Sequence, residues 1–268
     1  MNYIQLSIKA NEADQELLIG MLSLYAPTGF EQTGNNLVVY FEEDHFESYE
    51  VNEILKGYSY EKLLVKEENW NAIWESNFQP VIIDNFCGIR AHFHESIKDV
   101  QHEIIITPKM SFGTGHHATT HMMVQHMSEI EIKNKSVFDF GTGTGILAIL
   151  AQKLGAASVL AIDNDEWSIK NAIENSEQNH CHHIDFQLTS EVPNLQFEVI
   201  VANINKNVLL SNVLQLKNAA CQNAMLLLSG LLEEDEQDIS NAFEQNGFVF
   251  VSKKNRHNWI SLLYRNKG

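Results

Sequence analysis

A chain of 268 residues exceeds the usual single-domain length, so one large or two unequal domains are expected. Its 18 Lys and Arg against 35 Asp and Glu give a formal net charge of −17, which lacks the basic footprint of broad nucleic-acid binding and favours a basic protein or a small molecule as substrate. With 44% hydrophobic residues a sizeable core can form, yet the longest apolar stretches are strand-sized and exclude a membrane span.

The first residues, Met1 to Lys9, lack the basic start and long apolar region of a signal peptide. Cys87, Cys181 and Cys221 are odd in number and far apart, which fits reduced thiols and a cytoplasmic location. Tyr3 to Ile8 alternates as a half-buried strand does, and Asn11 to Tyr25 carries Leu17, Leu18, Met21, Leu22 and Tyr25 at helical spacing. A hairpin over Phe30 to Phe41, a helix from about His45 to Lys56 and a strand from Glu61 to Val65 complete a βαββαβ order. Such a unit is a small α+β sandwich with one free sheet face. Its acids Glu42, Glu43, Asp44, Glu47 and Glu50 read as a solvated face or as a docking surface for a basic partner.

Trp70, Trp74 and Phe78 recur every four residues before Pro80, an aromatic stripe for a linker helix over 67–80. Short strands follow at Val81 to Ile83, Gly88 to Phe93 and Glu103 to Ile106. Next comes a glycine-rich stretch, Phe112-Gly113-Thr114-Gly115-His116, leading through Thr119-Thr120 into a helix. It offers backbone N–H groups, hydroxyls and an aromatic ring to a ligand. His117 and His121 stand four apart and could share a helix face. No Glu completes an H-E-x-x-H motif, however, and no nearby Cys or carboxylate completes a ligand set, so no metal is expected. The His180-Cys181-His182-His183 cluster reads as a polar turn before a strand rather than a metal site.

The chain is organised around Val137 to Gly145, a short apolar run ending in Asp139 and then glycine at every second position. With the helix-forming Ile146 to Leu154 behind it, this is a buried strand, a tight turn and a helix whose free N–H groups face a ligand. Two cofactor classes compete for such a turn. A dinucleotide fingerprint needs its third glycine where Ile146 stands. The spacing G-x-G-x-G instead resembles the first motif of S-adenosylmethionine-dependent methyltransferases. Asp163 ends the next strand, 22 residues after Gly141, where a carboxylate can accept both ribose hydroxyls of either nucleoside ligand.

Alternating helices and strands then run to the end: a helix over Glu166 to Asn179, strands at Asp185 to Leu188 and Phe197 to Ala202, and a helix over Asn207 to Ala220. A strand from Ala224 to Gly230, a helix from Glu233 to Asn246 and a closing antiparallel pair follow. Asn203 ends a central strand, where open α/β sheets bind ligands, so it either faces the cofactor or bonds its own loop.

Taken together, the Phe112 to His116 loop with Thr119-Thr120, the Asp139 to Gly145 turn, Asp163 and Val201-Ala202-Asn203-Ile204 resemble the bacterial methyltransferases of ribosomal protein L-eleven. The aromatic stripe, Ser229-Gly230 and Trp259 extend the likeness over about residues 70 to 264, and element order carries it into the first 65. The resemblance implies a seven-stranded, doubly wound Rossmann-like methyltransferase sheet over 81–268. It also implies a ferredoxin-like α+β recognition domain over 1–66. It implies S-adenosylmethionine contacts at Thr120, Gly141, Asp163 and Asn203, with Phe112, Gly113, Thr114 and Gly115 closing over the ligand. Gly143 shares the turn, and Asn203 orients the nucleophile. The implied reaction is methylation of lysine side-chain amines and the N-terminal amine of the ribosomal protein; a monomer is expected. Thr144 stands where the family commonly has serine, Lys109 and Ser111 replace small residues, and Ala118 replaces a frequent proline; none removes a needed group.

Overall fold

The computed structural model describes residues 2–46, 48–65, 79–107 and 115–268. The chain separates into two compact units, 1–77 and 78–268. The expected linker helix, with Trp70, Trp74 and Phe78, lies outside the described residues except for Gln79 and Pro80.

The first unit runs β1 (Tyr3–Lys9), α1 (Glu12–Leu22), β2 (Gly29–Thr33), β3 (Asn36–Glu42), α2 (Ser48–Ile54) and β4 (Ser59–Val65). Its sheet has the order β2-β3-β1-β4, with every pair antiparallel. Alternation in β1 sends Ile4, Leu6 and Ile8 to the buried face, where they meet Leu18 and Leu22 of α1 and Val51 of α2. Asn11 starts α1 by accepting the N–H of Asp14. Both helices are shorter than the expected spans of Asn11 to Tyr25 and His45 to Lys56. Helix α1 stops at Leu22 and tightens into a single turn over Ser23–Tyr25.

The second unit opens with a small sheet, β5 (Val81–Ile83), β6 (Cys87–Ala91) and β7 (His102–Ile106). There follow α3 (Ala118–Glu129), β8 (Ser136–Phe140), α4 (Ile146–Lys153), β9 (Ser158–Asp163), α5 (Glu166–Gln178), β10 (Ile184–Leu188) and β11 (Phe197–Asn203). The remainder is α6 (Lys206–Ser211), α7 (Val213–Ala219), β12 (Ala220–Leu232), α8 (Glu236–Gln245), β13 (Phe248–Arg256) and β14 (Trp259–Asn266). The one helix expected over 207–220 is two, because Asn212 leaves helical geometry at φ −113° and ψ 12°. The helix expected from Glu233 begins at Glu236, after one tight turn over Glu233–Asp235.

These strands make a mixed sheet in the order β10-β9-β8-β11-β12-β14-β13. Strands β8 to β12 pair in parallel and β14 runs antiparallel between β12 and β13. Successive residues of the central strands face opposite layers. Val137, Val159, Ala161, Val199 and Val201 pack with α4, α3 and the small sheet, and Phe138, Phe140, Leu160, Ile200 and Ala202 pack with α6, α7 and α8. Strands buried on both faces read as the near-continuous apolar runs seen in the sequence. No described helix is long and apolar enough to cross a membrane.

Candidate active site

Strand order reverses at β8, whose neighbours are β9 and β11, and a crevice opens beyond the carboxyl ends of these strands. Register brings those ends level: Phe140 lies opposite Ile162 and Ala202, and Asn203 opposite Ser229. The glycine turn leaves β8 there. Gly141 N–H and Thr142 N–H both donate to the Ile162 carbonyl at 2.9 Å, and Gly143 N–H donates to Asp163 Oδ2 at 2.9 Å. Asp163 Oδ1 accepts the N–H of Asp165 at 3.0 Å, so two backbone donors fix the plane of its carboxylate.

Ile204 sits between two glycines that set the depth of the crevice. A Cβ on Gly141 would collide with the Ile204 γ-methyl, and one on Gly230 with the Ile204 carbonyl oxygen; both glycines have positive φ, +77° and +82°. Neither position admits a side chain, and the Asn203-Ile204-Asn205 segment therefore lies directly against the turn. Asn203 Nδ2 donates to Thr120 Oγ1 at 3.4 Å, while its buried Oδ1 has no partner among the described residues. Most buried polar atoms find a partner within the fold, so Asn203 Oδ1 is an exception.

The crevice is a cavity of about 710 Å³. Phe140, Ile146, Leu147, Ile204, Val208 and Trp259 supply its apolar wall. Thr120, Asp163, Asn164, Ser168, Thr189, Ser190, Asn203 and Asn205 supply polar groups. His117 stands behind that wall. Its ring meets Trp259 edge-on, with centroids 4.7 Å apart, and its Nδ1 accepts the Thr119 N–H to cap α3. Partial burial holds the His117 pKa below the usual imidazole value, which keeps the ring neutral and able to accept that bond. His117 is thus the cap before the helix rather than a residue sharing a helical face with His121. Among the described residues no three His, Cys, Asp or Glu gather as a metal site.

Asp139 lies beneath the turn, fully buried. Thr142 Oγ1 donates to its Oδ2 at 2.6 Å, and the Ala148 backbone N–H also favours its charged form. Burial pushes its pKa up to about 7, against the stabilising Thr142 bond. The carboxyl thus lies, with its pKa raised toward neutrality, directly under the glycine turn.

Of the residues singled out in the sequence, Thr120, Gly141, Gly143, Asp163 and Asn203 line this one cavity. Gly115 does not. It is buried against Ile89 of β6, where an added Cβ would lie 2.7 Å from Ile89 Cδ1. Phe112, Gly113 and Thr114 lie outside the described residues. Sequence reasoning did not nominate Asn164, Ser168, Thr189 or Ser190. All but Ser168 follow the ends of parallel strands, and that position was the available signal.

Residues 30–267 match the family model described as ribosomal protein L11 methyltransferase (PrmA). The chain belongs to that family. Curated relatives of the same name span it almost completely. The one from Chlorobaculum parvum is 36% identical over 284 residues, covering 100% of this chain and 98% of the relative. The one from Phocaeicola vulgatus is 33% identical and covers 98% and 99%. A crystal structure of ribosomal protein L11 methylase from Lactobacillus delbrueckii subsp. bulgaricus superposes with a TM-score of 0.66 at 30% identity, over 71% of this chain and 99% of that one. A methyltransferase from Pyrococcus furiosus, 15% identical with a TM-score of 0.53, shares the fold. For a member of the L11 methyltransferase family, the mixed α/β sheet and the crevice at its strand reversal are the methyltransferase architecture.

Proposed function

We propose that the protein transfers methyl groups from S-adenosylmethionine to amine groups of ribosomal protein L11, at lysine side chains and the N-terminal amine. The observation that carries this reading is the convergence of Asp163, the glycine turn and the unpartnered Asn203 Oδ1 on one cavity. The residues fit this cofactor. Asp163 keeps lone pairs free for vicinal hydroxyls after accepting two backbone N–H groups. The Gly141 to Gly145 backbone admits close approach, and Ile146, Leu147 and Val208 offer an apolar surface for a flat ring. Bound there, S-adenosylmethionine supplies a methyl group on a positively charged sulfur.

The chain contributes position and dryness. An amine with a pKa of about 10.4 is mostly protonated at neutral pH, and only its neutral form carries a free lone pair. The apolar wall of Ile204, Val208 and Trp259 disfavours the charged form by desolvation. Asn203 Oδ1 accepts an N–H of the neutral amine and so aims its lone pair, while Thr120 Oγ1 holds the Asn203 amide in place. Residues 1–66, a ferredoxin-like arrangement within the first unit, recognise the protein substrate, their acidic surface matching a basic partner.

Labelled methyl transfer into undermethylated ribosomal protein L11, read by mass, tests the proposal. Incorporation at amines supports it. Binding of NAD instead of S-adenosylmethionine in calorimetry, or methylation of RNA alone, overturns it.

A further inference from the structure

Three asparagines, Asn171, Asn175 and Asn179, recur every fourth residue on or at the end of α5, and all are buried. That spacing lines them up along one face. Asn179 treats β7 as a neighbouring strand would: its Oδ1 accepts the Ile105 N–H at 2.9 Å and its Nδ2 donates to the Ile105 carbonyl at 2.5 Å. One helical turn earlier, Asn175 Oδ1 accepts the Thr107 N–H at 2.7 Å. Four helical residues advance about 6 Å and two strand residues about 6.6 Å, so the two ladders keep step. There the likeness between the two amides ends. Asn175 Nδ2 donates at 2.9 Å to the carbonyl of Thr144, inside the glycine turn.

We propose that Asn175 is a positioning residue for methyl-donor binding, a single amide that fastens the glycine turn to the chain at Thr107. The inference rests on reading the crevice as an S-adenosylmethionine site. Thr144 lies between Gly143, whose N–H holds Asp163 Oδ2, and Gly145, the residue before α4. Holding the Thr144 carbonyl orients the peptide between them and so the backbone that faces the ligand. Thr107 directly follows β7 and precedes the second glycine-bearing stretch in the sequence. It is held additionally by Gln178, whose Nε2 donates to Thr107 Oγ1 at 2.6 Å, so loss of Asn175 loosens the turn more than β7. Asn179 contributes comparable bonds to β7, one more to the Asn175 backbone carbonyl at 2.8 Å and none to the turn, which makes it the internal control.

Calorimetry with S-adenosylmethionine on wild type, Asn175→Ala, Asn175→Asp and Asn179→Ala separates positioning from plain structural support. Asn175→Asp keeps the acceptor for Thr107 and sets a carboxylate oxygen against the Thr144 carbonyl. Both Asn175 variants are expected to raise the donor Kd by about tenfold or more, with kcat at saturating donor within about threefold. Asn179→Ala is expected to lower Tm while leaving Kd within about twofold. Folded Asn175 variants that bind like wild type, or Asn179→Ala weakening binding equally, overturn the inference. Hydrogen exchange on wild type supplies a test without variants. Donor binding should slow exchange of the Thr107 amide more than that of Ile105, and equal slowing at both overturns it. Wild type that does not bind the donor overturns the cofactor reading and this one together; wild type that binds beside unaffected variants overturns this one alone.

Discussion

The two units use their sheets in opposite ways. The first buries one face, so β1 alternates and its outer row (Tyr3, Gln5, Ser7 and their neighbour Leu63) stays partly or fully exposed. The second buries both faces, and its central strands are apolar almost without interruption. Chemistry can sit only where such strands end, since mid-strand positions are committed to packing. Among the described residues the one-sided sheet leaves its outer row partly exposed instead.

The largest test of this contrast is Gly230→Ala. The new methyl has backbone as its neighbour, the Ile204 carbonyl, and positive φ adds strain. We expect donor binding to fall by more than about a hundredfold in calorimetry, equivalent to roughly 3 kcal/mol. The comparable insult to the first unit, Leu6→Ala, should cost about 2–5 kcal/mol of that unit's stability and leave donor affinity unchanged. Urea unfolding followed beside calorimetry checks both.

Asp139→Asn comes next. Because the folded pKa of Asp139 stands near 7 and the unfolded value near 3.8, the folded state favours its protonated form. Its contribution is fully present below pH about 4 and is lost as pH rises through about 7, on the order of 4 kcal/mol in all. The asparagine variant should therefore gain stability relative to wild type as pH increases from 5 to 8. Urea midpoints that track wild type across that range would show that Asp139 is not the group responsible.

A smaller effect is expected from Asp163→Ala: about a ten- to hundredfold weaker donor binding with Tm little changed, because the side chain is half-exposed and caps no helix. The smallest belongs to the open face. Leu63 is 58% exposed, and Leu63→Ser should shift stability by less than about 0.5 kcal/mol. A raised KM for the protein substrate at unchanged kcat would mark that face as part of the recognition surface, and an unchanged KM would remove it.

How much of this was legible beforehand depends on the range of the interactions involved. The turn at Gly141 to Gly145 and the acid at Asp163 announce themselves locally, since glycine spacing and a strand-terminal carboxylate are encoded within about 25 residues. Asn203 was legible from its place at the end of a strand. The break at Asn212 was not, because apolar spacing runs through it, and neither was the early stop of α1 at Leu22. The clasp of Ile204 between Gly141 and Gly230 joins positions 63 and 26 residues away, and only the register of β8, β11 and β12 reveals it. Asn175 was not singled out in the sequence, and nothing local states that its partners are Thr107 and Thr144.

The insertion of β14 between β12 and β13 has a consequence for synthesis. Until residues 259–266 leave the ribosome and pair, the thirteen-residue β12 has no neighbour on that side, and Leu226, Leu227 and Leu228 lie on a bare edge. Such an edge templates pairing with other chains, so the nascent protein is most vulnerable to aggregation just before this segment emerges.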